Sequence, residues 1–273
     1  MPELPEVEVV CRGLRPLVMG RTLGRIRISG RPLRLPMPVD LLQRWADGSV
    51  VTEVRRRGKY LIIVLDNGAR LIVHLGMTGR LGLFPRETPL ATHDHLCLGL
   101  DNRMELRFND TRRFGSIQLL TPDQDETLHF AGLGPEPLRQ EFSAAYLMAK
   151  AARRSQPLKN FLMDSRVVVG IGNIYASEIA HEAMIAPTRP AKKVSRQEWQ
   201  TIVEQTKWVL NRAIAAGGST IANFVDSSGQ PGYFQLELKV YGQAGKPCRR
   251  CGAPIVKETL AGRATFFCGA CQT

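Results

Sequence analysis

Four cysteines near the C-terminus, Cys248, Cys251, Cys268 and Cys271, constrain this chain more than any other feature. They form two C-x2-C pairs separated by 16 residues. That spacing lets four thiolates surround one tetrahedral Zn²⁺. The segment between the pairs, Gly252 to Phe267, is long enough for one hairpin and too short to bury a core of its own. Metal binding would hold it together, at about 10–16 kcal/mol of folding free energy for such modules. Two disulfides are the alternative, disfavoured by the metal-like spacing and by the lack of secretory features. Four thiolates leave no open coordination position, so this zinc is expected to shape a surface rather than to catalyse. That surface carries Lys246, Arg249, Arg250, Lys257 and Arg263 against Glu258 alone, a charge suited to a polyanion.

The whole chain has the same bias. Its 37 Lys and Arg outnumber 25 acids, for a net charge of +12 over 273 residues. That balance points to nucleic acid ahead of anionic lipid or a ribosomal assembly. No run approaches the roughly 18 apolar residues of a membrane span. The opening Pro2-Glu3-Leu4-Pro5-Glu6 is neither basic nor followed by an apolar stretch, unlike a signal peptide. The expectation is a cytoplasmic protein of a reducing compartment, with Cys11 and Cys97 as buried thiols.

Periodicity divides the chain into three parts. A helix is expected from Pro5 to about Met19, with Val10, Leu14, Leu17 and Val18 on one face and Gly20 ending it. Seven strand patterns follow, at 23–28, 50–57, 60–65, 70–75, 96–100, 104–108 and 114–120, divided by turns such as Asp66-Asn67-Gly68. Short strands joined by tight turns predict a mainly antiparallel sandwich or barrel. Leu133-Gly-Pro-Glu-Pro-Leu138 reads as a linker. Helices are expected beyond it at 143–153, 157–163, 172–184 and 195–216, the last opened by a Ser195/Glu198 capping box. A stretch from Gly217 to Gly232 leads to the cysteine hairpin.

Several segments carry more than scaffold. Val169-Gly-Ile-Gly-Asn-Ile-Tyr175 superficially suggests a dinucleotide loop, but Tyr175 occupies the third glycine position and is too bulky for close helix–strand packing. A helix start with Asn173 suits a phosphate of DNA or of a cofactor, and equally a plain cap. Asn109-Asp-Thr-Arg-Arg-Phe-Gly115 fits backbone contact plus an aromatic wedge, or a solvated basic turn with Phe114 in the core. Arg55-Arg56-Arg57-Gly58-Lys59 has the same ambiguity, and Met77 reads by default as core filler. His93-Asp94-His95 is the nearest approach to a carboxylate/histidine metal cluster, and reads better as packing, hydrogen bonding or backbone contact. Small Pro2 permits removal of Met1, which would leave a secondary amine. An α-amino group has a pKa of about 7.7–8.0, so part of it is neutral at cellular pH and able to attack an aldehyde-like carbon.

Pro2-Glu3-Leu4-Pro5-Glu6-Val7-Glu8, Arg57-Gly58-Lys59-Tyr60, His74-Leu-Gly-Met-Thr-Gly79, Arg112-Arg113-Phe114-Gly115, Val169 to Glu178, Pro231-Gly-Tyr-Phe234 and the four cysteines occur in one order along essentially the whole chain. Together they resemble bacterial formamidopyrimidine-DNA glycosylase. The resemblance implies an α+β multidomain protein. Residues 1–130 would form a β-sandwich catalytic domain with a flanking N-terminal helix. Residues 131–236 would form a helix–two-turn–helix domain with a lid loop, and 237–273 a zinc β-hairpin holding one structural Zn²⁺. It further implies a monomer acting on damaged double-stranded DNA, excising oxidised purines and cutting the strand by β,δ-elimination.

Carried over residue by residue, the resemblance makes Pro2 the nucleophile and Glu3 the general acid/base, with Lys59 completing the catalytic set and Glu6 a supporting acid. Lys59, Asn173, Arg113 and Arg263 would hold phosphates around the lesion, with His93 a further DNA contact. Met77, Arg112 and Phe114 would fill the void left by the flipped nucleotide. Leu4 favours this branch over the related endonuclease VIII branch, which attacks oxidised pyrimidines. Thr111 replaces a frequent proline, and Ala222 stands where some relatives place a lid lysine. Two other classes compete. A non-catalytic zinc-containing nucleic-acid binder gives no reason for Pro2-Glu3, and a metal-dependent nuclease needs an open metal site.

Overall fold

The computed structural model describes residues 2–217 and 238–273. The described residues fall into two compact units, 2–131 and 132–217 with 238–273. The proposed lid with Ala222 and the Pro231–Phe234 run lie outside the described residues.

The first unit opens with helix α1 (Leu4–Val18). Its Val7, Val10, Cys11, Leu14 and Val18 recur at helical spacing and are all buried. Strand β1 (Leu23–Ile28), helix α2 (Val39–Trp45) and strands β2 (Val51–Arg57), β3 (Tyr60–Leu65), β4 (Arg70–His74), β5 (Arg80–Pro85), β6 (Asp94–Leu100), β7 (Met104–Asn109) and β8 (Ser116–Leu120) follow, then a short helix α3 (Glu126–His129). The strands make two four-stranded antiparallel sheets, ordered β1-β6-β7-β5 and β2-β3-β4-β8. Alternate residues of both sheets, including Leu61, Ile63, Leu71, Val73, Leu96, Leu98, Leu106, Phe108, Ile117 and Leu119, share one core with α1. This is the expected sandwich with its flanking helix.

Three elements of this unit depart from the pattern expected from the sequence. Strand β5 is an edge strand whose Gly82 and terminal Pro85 hide it from strand periodicity. Helices α2 and α3 span only seven and four residues, too few for a clear stripe. Cys11 and Cys97 are buried as expected, and burial pushes the Cys11 thiol up to about 12.

The second unit holds helices α4 (Ala144–Ala151), α5 (Leu158–Met163), α6 (Asn173–Glu182) and α7 (Arg196–Ala215), then the hairpin β9 (Ile255–Leu260) and β10 (Arg263–Cys268). The Ser195/Glu198 capping box opens α7, with Glu198 N–H donating to Ser195 Oγ at 3.3 Å and Ser195 N–H to Glu198 Oε2 at 2.8 Å. Among the described residues, the apolar cluster of the hairpin holds Val240, Cys248, Ile255, Phe266 and Cys268, with a few half-buried neighbours. So small an apolar cluster leaves most of the holding to the metal.

Candidate active site and zinc centre

In the first unit, buried Pro2 and Glu3 immediately precede α1. Glu3 is the helix N-cap, and its N–H donates to Glu6 Oε2 at 2.9 Å. Glu6 therefore closes the first turn and fixes the entry angle of Pro2. The helix is stitched to β2 along its length. Arg15 donates to Val54 O (2.8 Å), the Cys11 thiol to Arg55 O (3.5 Å), and Arg56 pairs with Glu8 (3.1 Å). Each step back along α1 is a step forward along β2, so the helix start is directed toward the β2–β3 turn. That turn is Gly58-Lys59, with Gly58 at φ 57° supplying the positive φ that a two-residue hairpin needs. Lys59 is half-buried there. Beside it, burial and then the positive charges of Lys59 and Arg34 push His74 down to about 4. His74 is thus neutral, its Nδ1 accepting from Gly76 N–H at 3.1 Å.

Two loops of this unit interlock. One, between β4 and β5, carries Met77; the other, between β7 and β8, carries Arg112, Arg113 and Phe114. A Cβ on Gly76 would lie 2.4 Å from the Gly115 nitrogen, and one on Gly115 would lie 2.8 Å from His74 O. Only glycine lets these backbones touch. Asp110, fully buried, locks the contact: its Oδ1 accepts from the Thr78 hydroxyl (2.5 Å) and its Oδ2 from Gly115 N–H (2.8 Å). Thr78 Oγ1 in turn accepts from Arg112 N–H (3.0 Å). Arg113 sits at φ 57°, a strained conformation for a side chain of its size.

The result is a projecting set of side chains. Met77 and Phe114 are 39% and 45% exposed, against the default expectation that both lie in the core. The Arg112 guanidinium stacks 4.6 Å from the centre of the Phe114 ring. His95 lies behind this loop, with Nδ1 3.0 Å from Ser29 Oγ and Nε2 3.0 Å from Asp110 O. His93 is half-buried and its carbonyl accepts from Asp110 N–H at 3.0 Å. Asp94 is engaged by Asn109 Nδ2 (2.9 Å) and Ala91 N–H (2.9 Å).

In the second unit, Asn173 is the first residue of α6, after the Gly172 cap. Its Nδ2 donates to Ala264 O (3.1 Å), one residue beyond Arg263. Arg263 itself is exposed, directly after a turn in which Ala261 and Gly262 both have positive φ (47° and 73°). A basic and an acidic side chain to which the sequence assigned no role hold this end of the unit. Lys159 is buried, its ammonium donating to Ala264 O (2.7 Å) and Thr265 Oγ1 (2.8 Å). The buried Glu178 carboxylate accepts from the N–H groups of Lys239, Val240 and Tyr241 at 2.8–2.9 Å. Burial pushes its carboxyl above the ordinary range, while those three donors pull it back.

The sulfur atoms of Cys248, Cys251, Cys268 and Cys271 all lie within 4.8 Å of one another. Two of the separations are Cys251–Cys268 at 3.5 Å and Cys248–Cys271 at 4.0 Å. A tetrahedron with Zn–S bonds of about 2.3 Å has S···S edges of about 3.8 Å. A disulfide needs about 2.05 Å, so neither pair is bonded. The four residues fit one structural zinc ion. Among the described residues this is the one group of three or more His, Cys, Asp or Glu arranged for a metal. Among those residues, too, no helix is long and apolar enough to cross a membrane.

Comparison with known proteins covers the whole chain. Residues 1–117 match the formamidopyrimidine-DNA glycosylase N-terminal domain, 133–225 its H2TH domain, and 245–273 a zinc finger found in FPG and IleRS. A formamidopyrimidine-DNA glycosylase of Xanthomonas campestris pv. campestris is 45% identical over the full length of both chains. One from Stenotrophomonas maltophilia is 44% identical, again over 100% of each. Among solved structures, a Lactococcus lactis FPG mutant in complex with Fapy-dG-containing DNA superposes with a TM-score of 0.92 at 33% identity, covering 100% of both chains. The MutM (FPG) protein from Thermus thermophilus gives 0.85 at 38% identity, covering 99% of this chain and 98% of that one. The chain belongs to the formamidopyrimidine-DNA glycosylase family.

Proposed function

We propose that this protein is a bifunctional DNA glycosylase/AP lyase that removes oxidised purines from duplex DNA in base excision repair. The observation that carries the reading is the buried Pro2–Glu3 turn, held by Glu6 at the head of a helix stitched to β2. With Met1 removed, the neutral Pro2 amine attacks C1′ of the damaged nucleotide and the base leaves. Glu3 protonates the ring oxygen as the sugar opens, giving an iminium ion. The iminium acidifies the C2′ proton, whose loss expels the 3′-phosphate, and the 5′-phosphate follows by a second elimination.

The nucleotide must first leave the stack, at a cost of a few kcal/mol. Met77, Arg112 and Phe114 offset that cost by occupying the vacated space, with Phe114 as the wedge and Arg112 as donor to the orphaned cytosine. Lys59, Arg113, Asn173 and Arg263 hold phosphates, and His93 adds a backbone contact. The zinc keeps the hairpin folded so that Arg263 is presented; it takes no part in bond breaking. Nucleoid association in the cytoplasm, as a monomer, accords with this role.

Borohydride trapping on an 8-oxoguanine:cytosine duplex tests the chemistry, with mass spectrometry of the N-terminal peptide to locate the adduct. A Pro2-linked adduct is expected. Pro2→Gly, with Met1 still removed, should lose normal trapping and slow base release while keeping most DNA affinity. Excision at the unmodified rate by that variant rules out the nucleophile. A purely binding protein gives no adduct at all, and a preference for oxidised pyrimidines would move the chain to the endonuclease VIII-like reading.

A further inference from the structure

Helix α6 meets the zinc module through side chains at successive heights, ending in Glu182, which pairs with Lys239 and Arg250. Asn173 reaches Ala264 O, Glu178 gathers the N–H groups of residues 239–241, and His181, in the last turn, approaches a metal ligand. His181 Nε2 lies 3.6 Å from Cys248 Sγ, an ordinary separation for N–H···S given the size of sulfur. Both residues are buried, at 2% and 3% exposure. The other ring nitrogen, Nδ1, is buried without a hydrogen-bond partner among the described residues.

The proton's position follows from these contacts. A metal-bound cysteine is a thiolate and only accepts. A neutral imidazole carries one N–H. On Nδ1 that proton would be an orphaned buried donor, and Nε2 would turn its lone pair on the sulfur. On Nε2 it meets the thiolate. Four thiolates around Zn²⁺ carry a net charge of −2, so a donor to one of them relieves the most electron-rich group in this part of the unit.

We infer that His181 is a positioning residue for the zinc centre, donating its Nε2–H to the Cys248 thiolate. The contact fixes the Cys248 side chain and ties the metal to the helix that begins with Asn173. Metal retention and the Asn173/Arg263 end of the module are thereby mechanically linked. Loss of an outer partner of a metal ligand costs about 10- to 100-fold in metal affinity.

The test uses the full-length zinc-loaded protein and two variants. His181→Phe keeps the ring and removes the donor; His181→Gln restores an N–H near the same place. Zinc release to a chromogenic chelator should be at least about tenfold faster for His181→Phe and closer to the parent for His181→Gln. With Co²⁺ in the site, the sulfur-to-cobalt charge-transfer band should move to lower energy in His181→Phe and recover in His181→Gln. Parent-like release and an unshifted band in His181→Phe overturn the inference. If that variant does not fold, ¹⁵N NMR of the parent's imidazole decides: an Nε2–H tautomer supports the assignment and an Nδ1–H tautomer refutes it. A parent without one zinc per chain would signal failure of the zinc assignment instead.

Discussion

Replacing Asp110 by alanine should release the loop that carries Arg112 and Phe114, whereas asparagine should largely hold it. In the parent, one buried carboxylate accepts from the Thr78 hydroxyl and from Gly115 N–H. Hydrogen bonds to a charged group contribute about 1.5–3 kcal/mol each, and alanine also leaves the Gly115 donor buried and unpaired. The two together put the cost of opening the interlock at about 3–6 kcal/mol lower in Asp110→Ala. Asparagine keeps a carbonyl for Gly115. Its amide can donate to Thr78 Oγ1, which has a lone pair to spare beside the one taken by Arg112 N–H. Its loss is about 1–2 kcal/mol, mostly charge. Hydrogen exchange of the Gly115 amide reads this directly. At about 1.36 kcal/mol per tenfold, exchange should accelerate by roughly 10²- to 10³-fold or more in Asp110→Ala and by about tenfold in Asp110→Asn. Equal acceleration in the two variants, or none in Asp110→Ala, would mean that the carboxylate is not the lock.

Two other outcomes follow from the same unit. Phe114→Ala should change stability by less than about 1 kcal/mol, since the ring is 45% exposed and its packing partner is the Arg112 guanidinium. It should slow release of the lesion base while sparing cleavage of DNA that already contains an abasic site; a large drop in melting temperature would put the ring back in the core. His74 should make the first unit acid-sensitive. Its folded pKa of about 4 lies below the ordinary 6.5, so the unfolded chain binds the extra proton between those values. Stability is therefore complete above about pH 6.5 and falls as pH drops toward 4, by at most about 3 kcal/mol. Comparing the parent's urea midpoints over this range with those of His74→Asn, which keeps an acceptor for Gly76 N–H, should show a flatter profile in the variant.

Elements with strong periodicity were legible in the sequence. The α1 stripe, the β3 and β4 runs, the α7 capping box and the cysteine pairs appear where local patterning puts them. Strand β5 was not legible, because an edge position tolerates the glycine and proline that erase alternation. The candidate residues Pro2, Lys59, Met77 and Phe114 gained meaning from the resemblance, since each has a plain structural reading by itself. The residues that hold them were harder to see. Asp110 acts on Thr78 across 32 positions, and His181 on Cys248 across 67. No local rule pairs groups so far apart; the β-sheet register and the helix packing do.

The glycine contact between the β4–β5 and β7–β8 loops has an evolutionary corollary. Main chain lies against main chain at Gly76 and Gly115, so neither loop has room to be re-contoured by itself. The platform leaves room for change only at the tips it carries. On the role proposed for them, a descendant enzyme meeting a different opposing base would exchange Met77, Arg112 or Phe114 one by one, as bits are changed on a fixed handle, and leave the handle alone.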